Sequence, residues 1–219
     1  MAWALPLAII NLPHLSLQEL QNWLGKKEIP PAGAAAKLSL RACLMAMAGR
    51  GLIFLEGCDP DDERRFSLAH EIAHFLLDYL EPREQVLALL GEDCRDILDG
   101  RRPPTPEERL RGLFHGVNLS IFIHLMERSP DGAVERLQIL EAEDQADRLA
   151  LELLAPKVAV LNRLDEIGVQ WRKSGASIIA QETLISEFGL PKAVARQYGK
   201  ILIIQHRARG SFREWLGVS

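Results

Sequence analysis

Cysteine is scarce in this chain. Its 219 residues include three, Cys43, Cys58 and Cys94, an odd number with no C-x-x-C spacing. That excludes a disulfide framework and points to a reducing, cytoplasmic setting, with the thiols serving as small hydrophobic residues. A surplus of one charge is also missing. The net charge is −4 and the pI about 5.9, so no global basic field marks a nucleic-acid binder, although a local patch stays open. Long apolar runs are lacking too. The N-terminal MAWALPLAII has no basic flank, stops at Asn11 and Pro13, and is too short to span a bilayer. A buried strand or a surface for a partner is its expected use. Internal repeats are absent, and low complexity is confined to AGAAA at 32–36.

What is present suits a soluble protein. Apolar residues make up 47% and charged residues 26%, which with this length suits one domain of ordinary size with a small appendage, or one large domain. Ser16, with Glu19 three positions on and Gly25 as a stop, predicts a helix over 16–25. IPPAGAAAK (29–37) reads as a loop. Two apolar runs in 41–57 flank glycines at 49 and 51 and predict a β-hairpin. The run 61–81 predicts a helix capped by Asp59 or an aspartate after it, with Pro82 as its stop. A further helix is expected over 83–98. A proline-rich break follows at 101–110, with a helix to about Gly116. VNLSIFIHLMER (117–128) reads as a strand, SPDG (129–132) as a turn, and any second strand would lie within 133–140. Helices are expected over 141–156, and over 177–202 with a Gly-Leu-Pro turn inside the latter.

The chemistry concentrates in FSLAHEIAHFLLDYL (66–80). His70 and His74 are one helical turn apart on one face, so both imidazoles can reach one cation. Glu71 beside them can approach a water bound to that cation, the H-E-x-x-H arrangement. The plain alternative is a pair of hydrogen-bonded core histidines, but a dry apolar helix makes unpaired polar groups costly. A third ligand is needed, and Leu77 and Leu80 stand where a metzincin would have glycine and histidine. His115, His124 and several acids remain. Among the acids, Glu143 and Asp147 share a helix face; Glu143 can be the third ligand, and Asp147 can fix a histidine tautomer. The bland reading of EAEDQAD is a solvated face. His124, on a strand, is either an ordinary polar position or an oxyanion stabiliser.

ERRFSLAHEIAHFLL (63–77), entered from GLIFLEG (51–57), resembles the ImmA/IrrE family of metallopeptidases. EDQADRLALELLAP (143–156) is similar to that family's downstream helix at Glu143, Ala146, Asp147, Ala150, Leu153, Leu154 and Pro156. Leu149 stands where the family has Phe, and the His74-to-Glu143 separation is longer than usual. The resemblance implies a mostly helical, zincin-like α+β core over 1–156 with a small β-sheet and an insertion at about 83–135. A C-terminal helical, helix-turn-helix-like region over 157–219 would follow. It implies that His70, His74 and Glu143 bind the metal, zinc with manganese or iron also compatible, and that Glu71 is the general base. It also implies endoproteolysis of a regulatory protein, such as a helix-turn-helix repressor, in a stress or mobile-element response.

LISEFGLPKAV (184–194) is a weaker match to a helix-turn-helix-like piece of the family. Lys192, Arg196 and Lys200 form a basic stripe, and 188–213 holds six Lys/Arg and no acid. The stripe could hold DNA phosphates or simply be a solvated face. A DNA-binding or partner-sensing regulator with a structural or vestigial metal site is therefore the rival reading. It wants four protein ligands where three are evident.

Overall fold

The computed structural model describes residues 5–25, 38–106, 108, 117, 120–127 and 137–215. The expected helix 110–116, the SPDG turn, the 29–37 loop and His115 lie outside these. The described residues form an α+β fold, as expected, in two compact units, Met1–Leu149 and Ala150–Ser219.

The first unit is built on strands β1 (Leu7–Leu12), β2 (Leu40–Met47), β3 (Arg50–Glu56) and β4 (Ile121–Glu127), in the order β1-β3-β2-β4. β2 and β3 are antiparallel and joined by Ala48 and Gly49, both at positive φ, the hairpin turn that matches strand twist. β1 pairs parallel to β3 at the sheet edge, and Ile9 is 49% exposed. The expected buried N-terminal strand is thus an edge strand. β4 pairs antiparallel with β2, which sets Leu44 opposite His124.

Both faces of β2 are covered, which is why its sequence reads as a continuous apolar run. Cys43, Met45 and Phe54 pack with Leu20 and Leu24 of α1 (Leu17–Gly25). The Glu19 amide donates to Ser16 Oγ at 3.2 Å, as the capping pattern predicts. Ala42, Leu44, Ala46 and Ile53 face Phe75 and Tyr79 on the other side. Gly51 has no room for a side chain there. A Cβ would sit 2.4 Å from Leu7 Cδ2 and 2.9 Å from the Phe75 ring.

The helix α2 (Asp61–His74) carries three acids in its first turn, where the helix dipole favours them. Its N-cap is Pro60 with no side-chain cap, so the expected aspartate cap is not made. Nor does Pro82 end the helix. α2 passes into a π-helical turn, Phe75–Leu80, and then into α3 (Glu81–Leu90). The Glu81 amide reaches back five residues to Leu76 O, which resets the register and leaves Pro82 in a fresh first turn, where no N–H is required. Gly91, at φ +84°, then breaks the expected 83–98 helix, and α4 (Arg95–Leu98) follows. Arg83 and Asp99 form a buried ion pair at 2.5 Å. α5 (Leu137–Leu154) begins earlier than expected, so residues 137–140 are helical rather than a second strand.

The second unit holds the end of α5 with α6 (Lys157–Glu166), α7 (Ala176–Ser186) and α8 (Lys192–Trp215). Leu164, Ala180, Leu184, Leu190 and Leu202 form its core. The α7–α8 turn follows the predicted Gly-Leu-Pro pattern, with Gly189 at φ +63° and the Leu190 amide bonded to Leu184 O. No helix among the described residues is long and apolar enough to cross a membrane.

Candidate metal centre

Three elements of the first unit converge on one cluster. α2 supplies His70, Glu71 and His74, all buried at 2%, 0% and 1% exposure. They can be buried because α2 lies against the sheet and its face toward α5 is covered as well. β4 supplies His124, on the side of the strand that carries Phe122 and Met126 and faces α2. α5 supplies Glu143 and Asp147, one turn apart on one face.

His70 Nε2 and His74 Nε2 face each other at 3.1 Å. The Glu143 carboxylate lies 3.3 Å from the first and 3.6 Å from the second. The opposite ring nitrogens are each held by an acid. His70 Nδ1 donates to Asp147 Oδ1 at 2.9 Å, and His74 Nδ1 donates to Asp78 Oδ2 at 2.5 Å. His124 Nδ1 donates to Glu71 Oε2 and its Nε2 donates to Glu143 Oε1, both at 2.9 Å. Glu71 Oε1 is buried and has no partner among the described residues.

These residues fit a divalent cation. A carboxylate accepts only, so Asp147 and Asp78 fix the proton on each Nδ1 and turn both Nε2 lone pairs inward. Two lone pairs 3.1 Å apart beside a carboxylate require positive charge between them, as a proton or as a metal ion. Around a tetrahedral zinc with bonds near 2.0–2.1 Å, ligand atoms stand about 3.3 Å apart; the two facing Nε2 atoms and the His70 Nε2–Glu143 Oε2 pair have that separation, and His74 Nε2 lies 3.6 Å from the other oxygen, Oε1. Two nitrogens and one oxygen suit zinc, with manganese or iron also compatible. All four of His70, His74, His124 and Glu143 offer a donor atom within 4.8 Å of the others.

The electrostatics agree. Burial works against a charge on His70, yet the Asp147 and Glu143 carboxylates outweigh it and raise its pKa to about 9. His124 is likewise raised to about 9, against burial, by Glu143 and Glu71. Burial alone would raise Glu143, but His124, His70 and His74 hold it far below the usual carboxylate range. Four carboxylates thus surround three imidazoles, an acid surplus that a dication would largely offset.

Every residue named from the sequence as metal-binding, catalytic or supporting lies in this cluster: His70, Glu71, His74, Glu143 and Asp147. Two participants were not assigned there. Asp78 is four residues after His74 on the same helical run, a spacing that the sequence shows. His124 is open in the sequence as a third-ligand candidate, an ordinary strand position or an oxyanion stabiliser; only the β2–β4 register brings it to the cluster. Lys192, Arg196 and Lys200 are exposed along α8, in the other unit, and take no part.

Residues 32–98 match the family model described as the IrrE N-terminal-like domain, Peptidase_M78. The match spans the hairpin, α2, α3 and α4, and ends before β4 and α5. No curated protein and no solved structure matches the chain.

Proposed function

We propose, taking as premise that residues 32–98 support an ImmA/IrrE-family metallopeptidase, that the protein is a metal-dependent endopeptidase acting on a regulatory protein in the cytoplasm. The observation that carries this reading is the triangle of His70, His74 and Glu143 beside a buried glutamate with one unpartnered oxygen.

In this reading His70, His74 and Glu143 hold the ion, with Asp147 and Asp78 fixing the two histidine tautomers. When bound, a zinc-like ion supplies Lewis acidity toward a peptide carbonyl and toward the attacking water. Glu71 is the general base. Its Oε2 is tied to His124, which leaves Oε1 to accept the proton of the water and return it to the departing amide nitrogen. Burial of Glu71 keeps that proton from leaking to bulk solvent. The resemblance favours a helix-turn-helix repressor in a stress or mobile-element response as the substrate, cut in an exposed segment.

Two experiments test this. Glu71→Gln should keep the metal and lower cleavage by about 10²–10⁴-fold; cleavage at the wild-type rate would remove Glu71 from the mechanism. Metal-loaded protein incubated with the repressor encoded nearest its gene should give a single cut. A rival regulator that uses the basic stripe of α8 predicts salt-dependent binding to duplex DNA that is indifferent to Glu71→Gln.

A further inference from the structure

By distance alone His124 would be a fourth protein ligand, which would close the centre and make it structural. Ring orientation argues otherwise. An imidazole coordinates through a lone pair in the plane of its ring, so an ion shared by two imidazoles lies in both planes. The His74 and His124 rings are stacked, with centroids 3.7 Å apart and 26° between the planes. Planes so placed meet roughly 8 Å from the rings, whereas a metal–nitrogen bond is about 2.0–2.1 Å. An ion in the plane of His74 is therefore out of reach of the His124 lone pairs. His70 and His74 contrast with this pair. Their planes cross at 69° with centroids 4.7 Å apart, an edge arrangement that lets both planes pass through one point beside the facing Nε2 atoms.

Both nitrogens of His124 are also engaged elsewhere. They hold Glu71 Oε2 and Glu143 Oε1, each at 2.9 Å. The ring is carried on β4, whose place is set by pairing with β2 rather than by α2 or α5. A single side chain on a third element thus joins a carboxylate of α2 to a carboxylate of α5.

We infer that His124 is a positioning residue that stays outside the coordination shell: its ring stacks on His74, and its two N–H groups tie the base Glu71 to the metal-binding Glu143. This rests on the metallopeptidase reading above and gives it a specific form. Three protein ligands remain, with a fourth position open for water and the scissile carbonyl. Glu143 is left to bind through Oε2, which faces His70 Nε2. Glu71 is fixed at one oxygen so that the other, Oε1, points into the site.

X-ray absorption on the zinc-loaded full-length protein counts the imidazoles on the metal. Two per zinc are expected in the wild type, and two again in His124→Phe, which keeps a ring against His74 but has no N–H. Zinc affinity of His124→Phe should fall by about 10–100-fold, and His124→Asn, which restores one donor, should recover part of the loss. Three imidazoles in the wild type would overturn the inference while leaving the metallopeptidase reading intact; that measurement needs no variant. A His124→Phe affinity within about twofold of wild type would overturn the tie between the two carboxylates. If the wild-type protein takes up no zinc, the metallopeptidase reading itself fails, and this inference with it.

Discussion

Asp78→Ala is the most direct probe of how the histidines are aimed. It removes the carboxylate that accepts from His74 Nδ1 at 2.5 Å. The ring can then carry its proton on either nitrogen, and half of those states have no lone pair facing the metal position. Loss of such a supporting partner costs about 10–100-fold in metal affinity, or about 1.4–2.7 kcal/mol. The structure says where in that range each acid falls. The Asp78 side chain is 31% exposed and that of Asp147 is 55% exposed, so water screens the second pair more. Asp78→Ala should therefore lie near the hundredfold end and Asp147→Ala near the tenfold end. Asp78→Asn keeps an acceptor oxygen without the charge and should fall between Asp78→Ala and wild type. Competition titration against a chromophoric zinc chelator at fixed pH measures all four proteins. An Asp78→Ala affinity within about threefold of wild type, with unchanged circular dichroism, would refute the claim that this carboxylate sets the tautomer. So would a larger loss for Asp147→Ala than for Asp78→Ala.

Asp99→Ala should destabilise the fold by about 3–5 kcal/mol in urea unfolding, because it strands the buried Arg83 guanidinium; a loss under about 1 kcal/mol would mean that water reaches the pair. Metal-stripped protein should lose stability as pH rises. His70 and His124 have pKa values raised from 6.5 to about 9, so their contribution is complete below pH 6.5 and is lost as pH climbs through about 9. In zinc-loaded protein the ion takes the place of the His70 proton, while His124 keeps its own, so affinity grows with pH; thermal melts across this window should diverge, and parallel curves would refute the assignment. Gly51→Ala drives a methyl group into Leu7 and the Phe75 ring. It should cost about 1–3 kcal/mol and weaken zinc binding through His74, the neighbour of Phe75; an unchanged melting temperature would show that the hairpin yields instead.

The cluster was legible where its geometry is local. His70, Glu71 and His74 lie within two turns of one helix, and Glu143 and Asp147 within one turn of another, so spacing alone orders them. The hairpin was legible for the same reason, since two apolar runs and two glycines lie side by side. His124 was not readable in this way. Its approach to Glu71 depends on which strand lies beside β2 and in which register, and neither is written in residues 117–128. Pro82 misled for a different reason. It is a sound helix stop in an α-helical register, but the π-helical turn before it changes that register. A five-residue hydrogen bond leaves no trace in an apolar run such as FLLDYL. The apolar composition of the N-terminal strand suits burial or a partner surface alike, and sheet order, which leaves it at an edge, is not written in it.

The centre draws its parts from positions scattered over more than seventy residues, between His70 and Asp147. The hairpin and α2 make mostly near-neighbour contacts and can form early, whereas β4 and α5 come from far along the chain, and closing so long a stretch is entropically costly. A nascent chain that has produced α2 and the turn after it owns two histidines and a glutamate, and Asp78 to hold His74, but neither Asp147 for His70 nor His124 for Glu71. In the metallopeptidase reading, tight capture of the ion therefore waits until the polypeptide has passed Asp147.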